Sequence, residues 1–323
     1  MEDHILLSTK GLSVGYTDGK NINILFNDLT VDLKKGQLVC FMGPNGIGKS
    51  TLIRALAGLQ HPLNGEITLH FLRADLNVPQ KISVVLTDKV SALNMTVQEI
   101  VEYGRYPYLD WNIKLSEGDR KIITQAIELT RIQHLLHKKL FELSDGQLQM
   151  ATIARALAQD TPIILLDEPT AHLDLNNRVE IMNLLRTLSR TTGKAILVAT
   201  HELDLALQTA DFIWLAGANN KILTGIPEDL VLNGSFDEIF QFKGFDLKTG
   251  KVSHEAYRNI TVDLKGYGYE FLWTKNALER SGYKIDNTSP LSIRVSKNNN
   301  QLIWSLGAQK YNSLDSLLHH LPH

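Results

Sequence analysis

The sequence predicts an α/β protein with a β-rich subdomain, a parallel core sheet and a helical subdomain, followed by a small C-terminal α/β domain. Three observations carry this. Short β-rich runs alternate with turns from residue 5 to about 86, and the pattern becomes helical from about 96 to 160. Two apolar strands then bracket a single helix. Strands that are apolar throughout belong in a parallel sheet covered on both faces.

The β-rich runs are "ILLSTKGLSVGY", "LTVDLKKGQLVCFMG", "GEITLHF" and "KISVVLT", interrupted by the helix "KSTLIRALAGL", which Gly58 and then Pro62 stop. The helical stretch contains "TVQEIVEYGR", "EGDRKIITQAIELTRI" and "GQLQMATIARALAQ". "PIILLDE", "NRVEIMNLLRTLSR" and "AILVATHE" form the strand–helix–strand unit. "QFKGFDLKTGKVSHE" is polar and glycine-bearing, which marks a linker. Strand "YRNITVDL", helix "EFLWTKNALERSG", strands "LSIRVS" and "QLIWSL" and helix "SLDSLLHHL" complete the chain, with "KNNNQ" as a hairpin turn. The expected division is 1–240, with the helical subdomain at about 90–160, a linker over 241–250, and an accessory domain over 251–323. A small α/β sandwich fits that tail, the split-βαβ arrangement being one form, with Phe271, Trp273, Ala277 and Leu278 facing its sheet.

A length of 323 residues suits two domains, and 43% hydrophobic with 21% charged residues is ordinary for a globular chain. A net charge of −2 provides no basic field for nucleic acid or anionic lipid. The single cysteine, Cys40, excludes an intrachain disulfide, suits a reducing cytoplasm, and reads as a small buried hydrophobe. "MEDHILLSTKG" is not a secretory signal, and no apolar run approaches the roughly 20 residues that span a bilayer. Docking onto a membrane protein remains compatible with both facts.

"VCFMGPNGIGKST" places G-x-x-x-x-G-K-[ST] between an apolar strand and a helix. Gly43, Gly46 and Gly48 let backbone N–H groups turn inward around the β- and γ-phosphates, where Cβ atoms would obstruct. Lys49 supplies a point charge, the helix N-terminus a positive dipole, and the Ser50 hydroxyl a ligand for Mg²⁺. The expected nucleotide contacts run through Gly43, Pro44, Asn45, Gly46, Ile47, Gly48, Lys49, Ser50 and Thr51. "IILLDEP" ends in two carboxylates. Asp167 suits Mg²⁺ binding and Glu168 suits general-base activation of water. His201, in "LVATHE" at the same sheet edge, can contact the γ-phosphate and orient the water.

"GPNGIGKST", "LSDGQ", "IILLDEPTAHLD" and "VATHE", in this order, resemble the nucleotide-binding subunit of an ATP-binding cassette (ABC) transporter over roughly residues 5–240. The resemblance implies a P-loop NTPase of ABC type that binds ATP and Mg²⁺, acting as a head-to-tail homodimer. Each signature turn would then face the ATP held by the other subunit. The Ser144 hydroxyl, the Gly146 N–H and the helix start at Gln147 would cap a γ-phosphate in trans, so an isolated monomer would be a poor ATPase. Asp145 stands where the family carries glycine and is expected to hydrogen-bond its own turn. Asp174 resembles the acid of the loop that passes geometry between the two sites. Tyr16 stands where the family stacks an aromatic ring on adenine, a buried structural tyrosine being the alternative. Thr87 replaces the family's glutamine, which touches Mg²⁺ and senses the permease; its hydroxyl could still ligate the metal at shorter reach, and neither Gln80 nor Gln98 substitutes easily.

"MTVQEIVEYGRYPYLDW" gathers Tyr103, Tyr106, Tyr108 and Trp111 beside Arg105. These aromatics suit either a surface receiving a partner's helix or the helical subdomain's own core. The stretch resembles the "TV-x-E-x-V-x-x-GR-x-P" segment of ATPases serving iron–siderophore, haem and cobalamin importers. That resemblance implies a peripheral subunit on the cytoplasmic face of the inner membrane, working with a separate permease and indirectly with a periplasmic or lipid-anchored substrate-binding protein. An iron chelate is the first expectation for the cargo and cobalamin the alternative. A translation or repair ATPase is disfavoured by one cassette, no CxxC and no basic patch. A silent regulatory cassette is disfavoured by Glu168 and His201. The tail reads either as a packing or dimer-stabilising module or as a regulatory domain, with His319, His320 and His323 as solvated residues.

Overall fold

The computed structural model describes residues 4–18, 21–70, 77–87, 94–217, 219–248, 250–252, 256–298 and 301–322. The chain divides into two compact units, Met1–Gln241 and Phe242–His323.

The first unit opens with β1 (Ile5–Asp18), β2 (Asn21–Leu29) and β3 (Asp32–Lys34). Then come β4 (Leu38–Met42), α1 (Lys49–Leu56) and β5 (Asn64–Leu69). β2, β3 and β5 all pair antiparallel with β1, forming a four-stranded sheet. β6 (Ile82–Val85) precedes the helical stretch α2 (Val97–Tyr103), α3 (Glu117–Thr130) and α4 (Asp145–Ala158). The chain then forms β7 (Ile163–Asp167), α5 (Leu175–Thr192), β8 (Ala195–Ala199), α6 (Leu203–Thr209) and β9 (Phe212–Ala216). β10 (Ile222–Gly225), α7 (Pro227–Leu232) and α8 (Ser235–Phe240) close the unit.

The core sheet has the order β10-β9-β4-β8-β7-β6 and is parallel except for β10. All five residues of β4, β7 and β8 are buried, as uninterrupted apolar strands require. Phe26, Phe41 and Trp214 pack edge-on or tilted, with ring centroids 5.8 and 6.3 Å apart, and seat the antiparallel sheet against this core. Cys40 lies inside it, and burial pushes its thiol pKa up to about 12, which makes it an inert packing residue.

Capping boxes at Thr96/Glu99, Ser116/Asp119 and Ser144/Gln147 start the three helices of the helical subdomain. Arg105, placed in the sequence beside the aromatic cluster, is buried as a clasp between them. Its Nε donates to Asp119 Oδ1 at 2.7 Å, its Nη1 to Ala158 O at 3.1 Å, and its guanidinium lies 4.0 Å from the Tyr108 ring centroid. Burial raises the Asp119 pKa, but hydrogen bonds from Ser116 and Arg105 outweigh it and hold the carboxyl below the usual range. The pair's stabilisation is therefore complete at neutral pH and is lost only as pH falls through that lowered pKa. Arg105→Ala leaves a buried, unpaired carboxylate and should cost about 3–5 kcal/mol, read from urea midpoints. A cost under about 1 kcal/mol, the range of surface ion pairs, would contradict the clasp.

The second unit contains the ribbon β11 (Phe245–Asp246) and β12 (Lys251–Val252), where the sequence suggested plain linker, and then β13 (Thr261–Lys265), α9 (Gly268–Arg280) and β14 (Lys284–Ile285). β15 (Ser292–Asn298), β16 (Gln301–Leu306), β17 (Gln309–Tyr311) and α10 (Leu314–His320) follow. The sheet order is β14-β13-β15-β16-β17. β14 pairs directly with β13, so the βαβ unit is not split. β15 and β16 form the expected hairpin, although its tip lies outside the described residues, as does His323. Phe271, Ala277 and Leu278 face inward, but Trp273 does not: it is 69% exposed. At about 100° per residue the inward stripe passes through Phe271, Thr274 and Leu278. Trp304 fills that side, its indole N–H donating to Thr274 Oγ1 at 2.8 Å.

Candidate nucleotide site

The β4–α1 loop makes the cradle. Gly48 is the N-cap of α1 at φ +108°, and no side chain caps the helix, so its first N–H groups are left to a ligand. A Cβ on Gly48 would stand 2.8 Å from Leu25 Cδ1, which closes the position to other residues. Lys49 is buried, and its Nζ donates to Gly43 O at 3.0 Å and Pro44 O at 3.4 Å, tying the loop into a ring. Burial lowers the Lys49 pKa, while the nearby carboxylates of Glu168 and Asp167 pull it back up.

Asn45, Gly46, Gly48, Lys49, Ser50 and Thr51 line a cleft of about 620 Å³ with Tyr16, Asn23, Leu25, Glu168 and His201, a size suited to a small-molecule ligand. Tyr16 is 51% exposed and its hydroxyl bonds to Thr51 Oγ1, which leaves the ring available to a base. Pro44 and Ile47 belong to the loop's own scaffold: Ile47 N–H donates to Pro44 O at 3.3 Å.

Asp167 ends β7, buried, and its Oδ1 has no hydrogen-bond partner among the described residues. Burial raises its pKa, moderated by the Ser50 and Thr87 hydroxyls. Thr87 Oγ1 donates to the Asp167 carbonyl at 2.9 Å, so the residue that replaces glutamine touches the carboxylate's own backbone. An orphaned carboxylate oxygen beside a serine hydroxyl fits a hard divalent cation. Among the described residues no cluster of three or more His, Cys, Asp or Glu side chains makes a metal centre, so such an ion would depend on Ser50, Asp167 and phosphate oxygens.

Glu168 follows at φ +49°, anchored by its N–H to Ala199 O at 2.9 Å. That left-handed conformation stores on the order of 1 kcal/mol. His201 Nδ1 stands 3.4 Å from Glu168 Oε2, and its Nε2 stands 3.4 Å from Glu202 Oε1. Arg178 pairs with Glu202 at 2.7 Å and donates to Leu173 O at 2.6 Å. Polar contacts thus run from Leu173, in the loop before α5, through Arg178, Glu202 and His201 to Glu168. Sequence reasoning passed over Arg178 and Glu202. Glu202 directly follows the histidine, and Arg178 lies one turn beyond Asp174, which were the available signals.

The signature turn does not line this cleft. Ser144 and Gln147 cap α4 mutually, Ser144 accepting from the Gln147 N–H at 3.3 Å, so the capping expected of Asp145 falls to Ser144. Among the described residues Asp145 has no hydrogen bond to the turn. It is exposed in the first helical turn, lining a separate cleft of about 260 Å³ with Thr87, Gln149, Glu168 and His172. Gly146 is packed so closely that a Cβ would lie 2.8 Å from Asn177 Cγ. Asp174 caps α5 by accepting from the Asn177 N–H at 2.9 Å.

The ABC transporter family model matches residues 26–171. A petrobactin import ATP-binding protein of Bacillus anthracis, FpuD, is 34% identical over 241 residues, covering 73% of this chain and 87% of the relative. The chain belongs to the ATP-binding subunits of ABC transporters. A second relative, the ferric enterobactin transport ATP-binding protein FepC of Escherichia coli, is 33% identical and covers 66% of this cassette protein and 80% of the relative. The dimeric structure of a bacterial ABC transporter cassette, MJ0796, overlays with a TM-score of 0.58 at 28% identity, covering 69% of this chain and 99% of that one. Residues 259–322 match the iron ABC transporter C-terminal domain.

The protein is an ABC ATPase with ATP as its substrate, and among the described residues no helix is long and apolar enough to cross a membrane. Exposed in the first turn of α4, Asp145 is expected to act through the helix dipole, an effect of about 0.3–1 kcal/mol. Asp145→Gly should leave the ATPase rate within a few fold. A loss beyond about tenfold, or 1.36 kcal/mol of barrier, would place this carboxylate against the phosphates.

Proposed function

We propose that this ATPase energises the uptake of an iron chelate, siderophore or haem, through a separate membrane permease, docked peripherally on the cytoplasmic face of the membrane. One coincidence carries the reading: an importer-type cassette continues into a domain matching the iron ABC transporter C-terminal family. Relatives named for petrobactin import and ferric enterobactin transport support it, and nothing among them favours cobalamin. A substrate-binding protein outside the membrane would hand the chelate to the permease.

The permease contact falls to the segment after Thr96. Tyr103 and Tyr106 stack with centroids 5.3 Å apart on the surface, and Trp111 is 94% exposed. Exposed, rigid aromatics are suited to receiving a partner's helix.

Two copies would close head to tail on two ATP molecules. Lys49, Ser50 and the Gly43–Gly48 backbone hold the phosphates from one subunit, with Tyr16 against the adenine. Ser144, Gly146 and the α4 N-terminus cap the γ-phosphate from the other. Mg²⁺ held by Ser50 and Asp167 would neutralise charge on the β- and γ-phosphate oxygens. Glu168 takes the proton of the attacking water, and His201, 3.4 Å from it, orients that water and contacts the γ-phosphate. Asp174, fixing the start of α5, and the Leu173–Arg178–Glu202–His201 contacts would pass closure to the base. Thr87 is too short to reach as glutamine does, so here it braces Asp167 and leaves permease sensing to the aromatic segment.

Affinity purification of the tagged chain from detergent-solubilised membranes tests the assignment. A stoichiometric polytopic permease is the expected companion. Ribosomal or DNA-repair proteins in its place would remove the transport function while leaving the ATPase chemistry intact.

A further inference from the structure

Gln149 Nε2 on α4 and Asp167 Oδ1 at the end of β7 are buried, have no hydrogen-bond partner among the described residues, and belong to side chains that line one cleft. That cleft, of about 260 Å³, has room for several waters. A buried amide N–H without an acceptor destabilises a fold, so one that persists beside two carboxylates calls for a use.

The docking of α4 sets where Gln149 stands. Gln159 Nε2 donates to Ile82 O at 3.2 Å and Arg155 Nη2 to Val84 O at 2.7 Å, so α4 runs antiparallel along β6. Six residues back from Arg155 is about 9 Å of helix, and three residues on from Val84 is about 10 Å of extended chain. Gln149 is therefore level with Thr87. Asp145, Leu148, Gln149 and Thr152, at helical spacing, make the α4 wall of the cleft. The ends of β6 and β7 bring Thr87, Asp167 and Glu168 to it, and Glu168 lines the nucleotide cleft as well. Both threonine hydroxyls are already spent, Thr87 Oγ1 on Asp167 O at 2.9 Å and Thr152 Oγ1 on Gln149 O at 2.8 Å. Gln149 keeps an unspent donor in a cleft lined by the carboxylates of Asp145, Asp167 and Glu168.

We propose that Gln149 is a positioning residue for ATP hydrolysis, its Nε2 donating through one water to the Asp167–Glu168 carboxylates. It supplies from α4 the amide that position 87 lacks. A water held there has an amide donor and a carboxylate acceptor, the minimum that a buried water requires. α4 begins directly after Ser144, so this link fixes the signature turn relative to the hydrolytic edge of its own chain. The proposal rests on the reading of Asp167 and Glu168 as that edge.

The test is steady-state ATP hydrolysis by the full chain carrying Gln149→Met, which keeps the unbranched side chain and removes the amide. kcat should fall about 10- to 100-fold, with KM for ATP within about twofold of the parent. The melting temperature should hold or rise by about 2–4 °C, because a buried orphan donor has gone. In a Thr87→Gln background the same substitution should cost less than about threefold, since an amide then stands at the same level of the cleft. Hydrolysis by Gln149→Met within about twofold of the parent overturns the proposal. A rate loss joined to a melting temperature lowered by more than about 2 °C also overturns it and makes Gln149 a packing residue. An equal cost in both backgrounds overturns it too. Glu168→Gln tests the edge itself: parent-rate hydrolysis by that variant removes the underlying reading, whereas failure with Gln149→Met leaves it standing.

Discussion

Glu168→Gln binds ATP, forms a stable dimer with it, and hydrolyses it about 10²- to 10⁴-fold more slowly than the unaltered protein. The substitution keeps the shape and removes only the proton acceptor. Its backbone anchor to Ala199 O and its left-handed turn are unaffected by the side-chain change. The proposed phosphate contacts of Lys49, Ser50 and the α1 N-terminus would remain, so the ATP-bound state should form and persist. Gel filtration with ATP should show a dimer, and a phosphate-release assay should show the rate loss. A variant that stays monomeric with ATP, or hydrolyses within about tenfold of the parent, would remove Glu168 from the role of base.

Lys49→Ala fails earlier, at binding. The ammonium ties Gly43 O and Pro44 O and would face the phosphates in the proposed ATP complex, where one hydrogen bond to a charged group contributes about 1.5–3 kcal/mol. ATP affinity should fall by roughly 10- to 150-fold in equilibrium binding. An affinity within a factor of about two would contradict the cradle's dependence on this charge. The pH behaviour follows from burial. Because burial lowers the Lys49 pKa, the empty protein sheds this proton below the usual lysine range of about 10.4. ATP affinity should therefore decline with alkali sooner than for an ordinary lysine. The stability of the empty protein moves the other way. Between the folded and unfolded pKa values the unfolded chain binds more protons, so this group's contribution to stability rises with pH.

The catalytic edge was legible because each of its parts ends an apolar strand or opens a helix. β4, β7 and β8 are uninterrupted runs; Gly43 follows β4, Gly48 opens α1, and Asp167, Glu168 and His201 sit where β7 and β8 stop. β2 was not legible. "NINILFNDL" interleaves asparagines with apolar residues and is mostly exposed, held in place by β1 rather than by its own burial. The elements between His201 and the end of the first unit are four to seven residues long, too short for periodicity to register. Trp273 was misplaced because residue type outweighed helical phase: a tryptophan assigned to a core proved to be exposed. The burial of Arg105 against Asp119 had no local signal, because its partners stand 14 and 53 residues further along the chain. The Thr87 hydroxyl on the Asp167 carbonyl joins positions 80 residues apart, which only the pairing of β6 with β7 brings together.

ATP hydrolysis by this chain is proposed to drive iron-chelate uptake. The most direct measurement replaces the chromosomal copy in the native host with Glu168→Gln and follows radiolabelled ferric siderophore or haem and labelled cobalamin into the cells. Loss of ferric-chelate uptake with cobalamin uptake intact is the predicted result. Undiminished entry of ferric chelates would contradict the account.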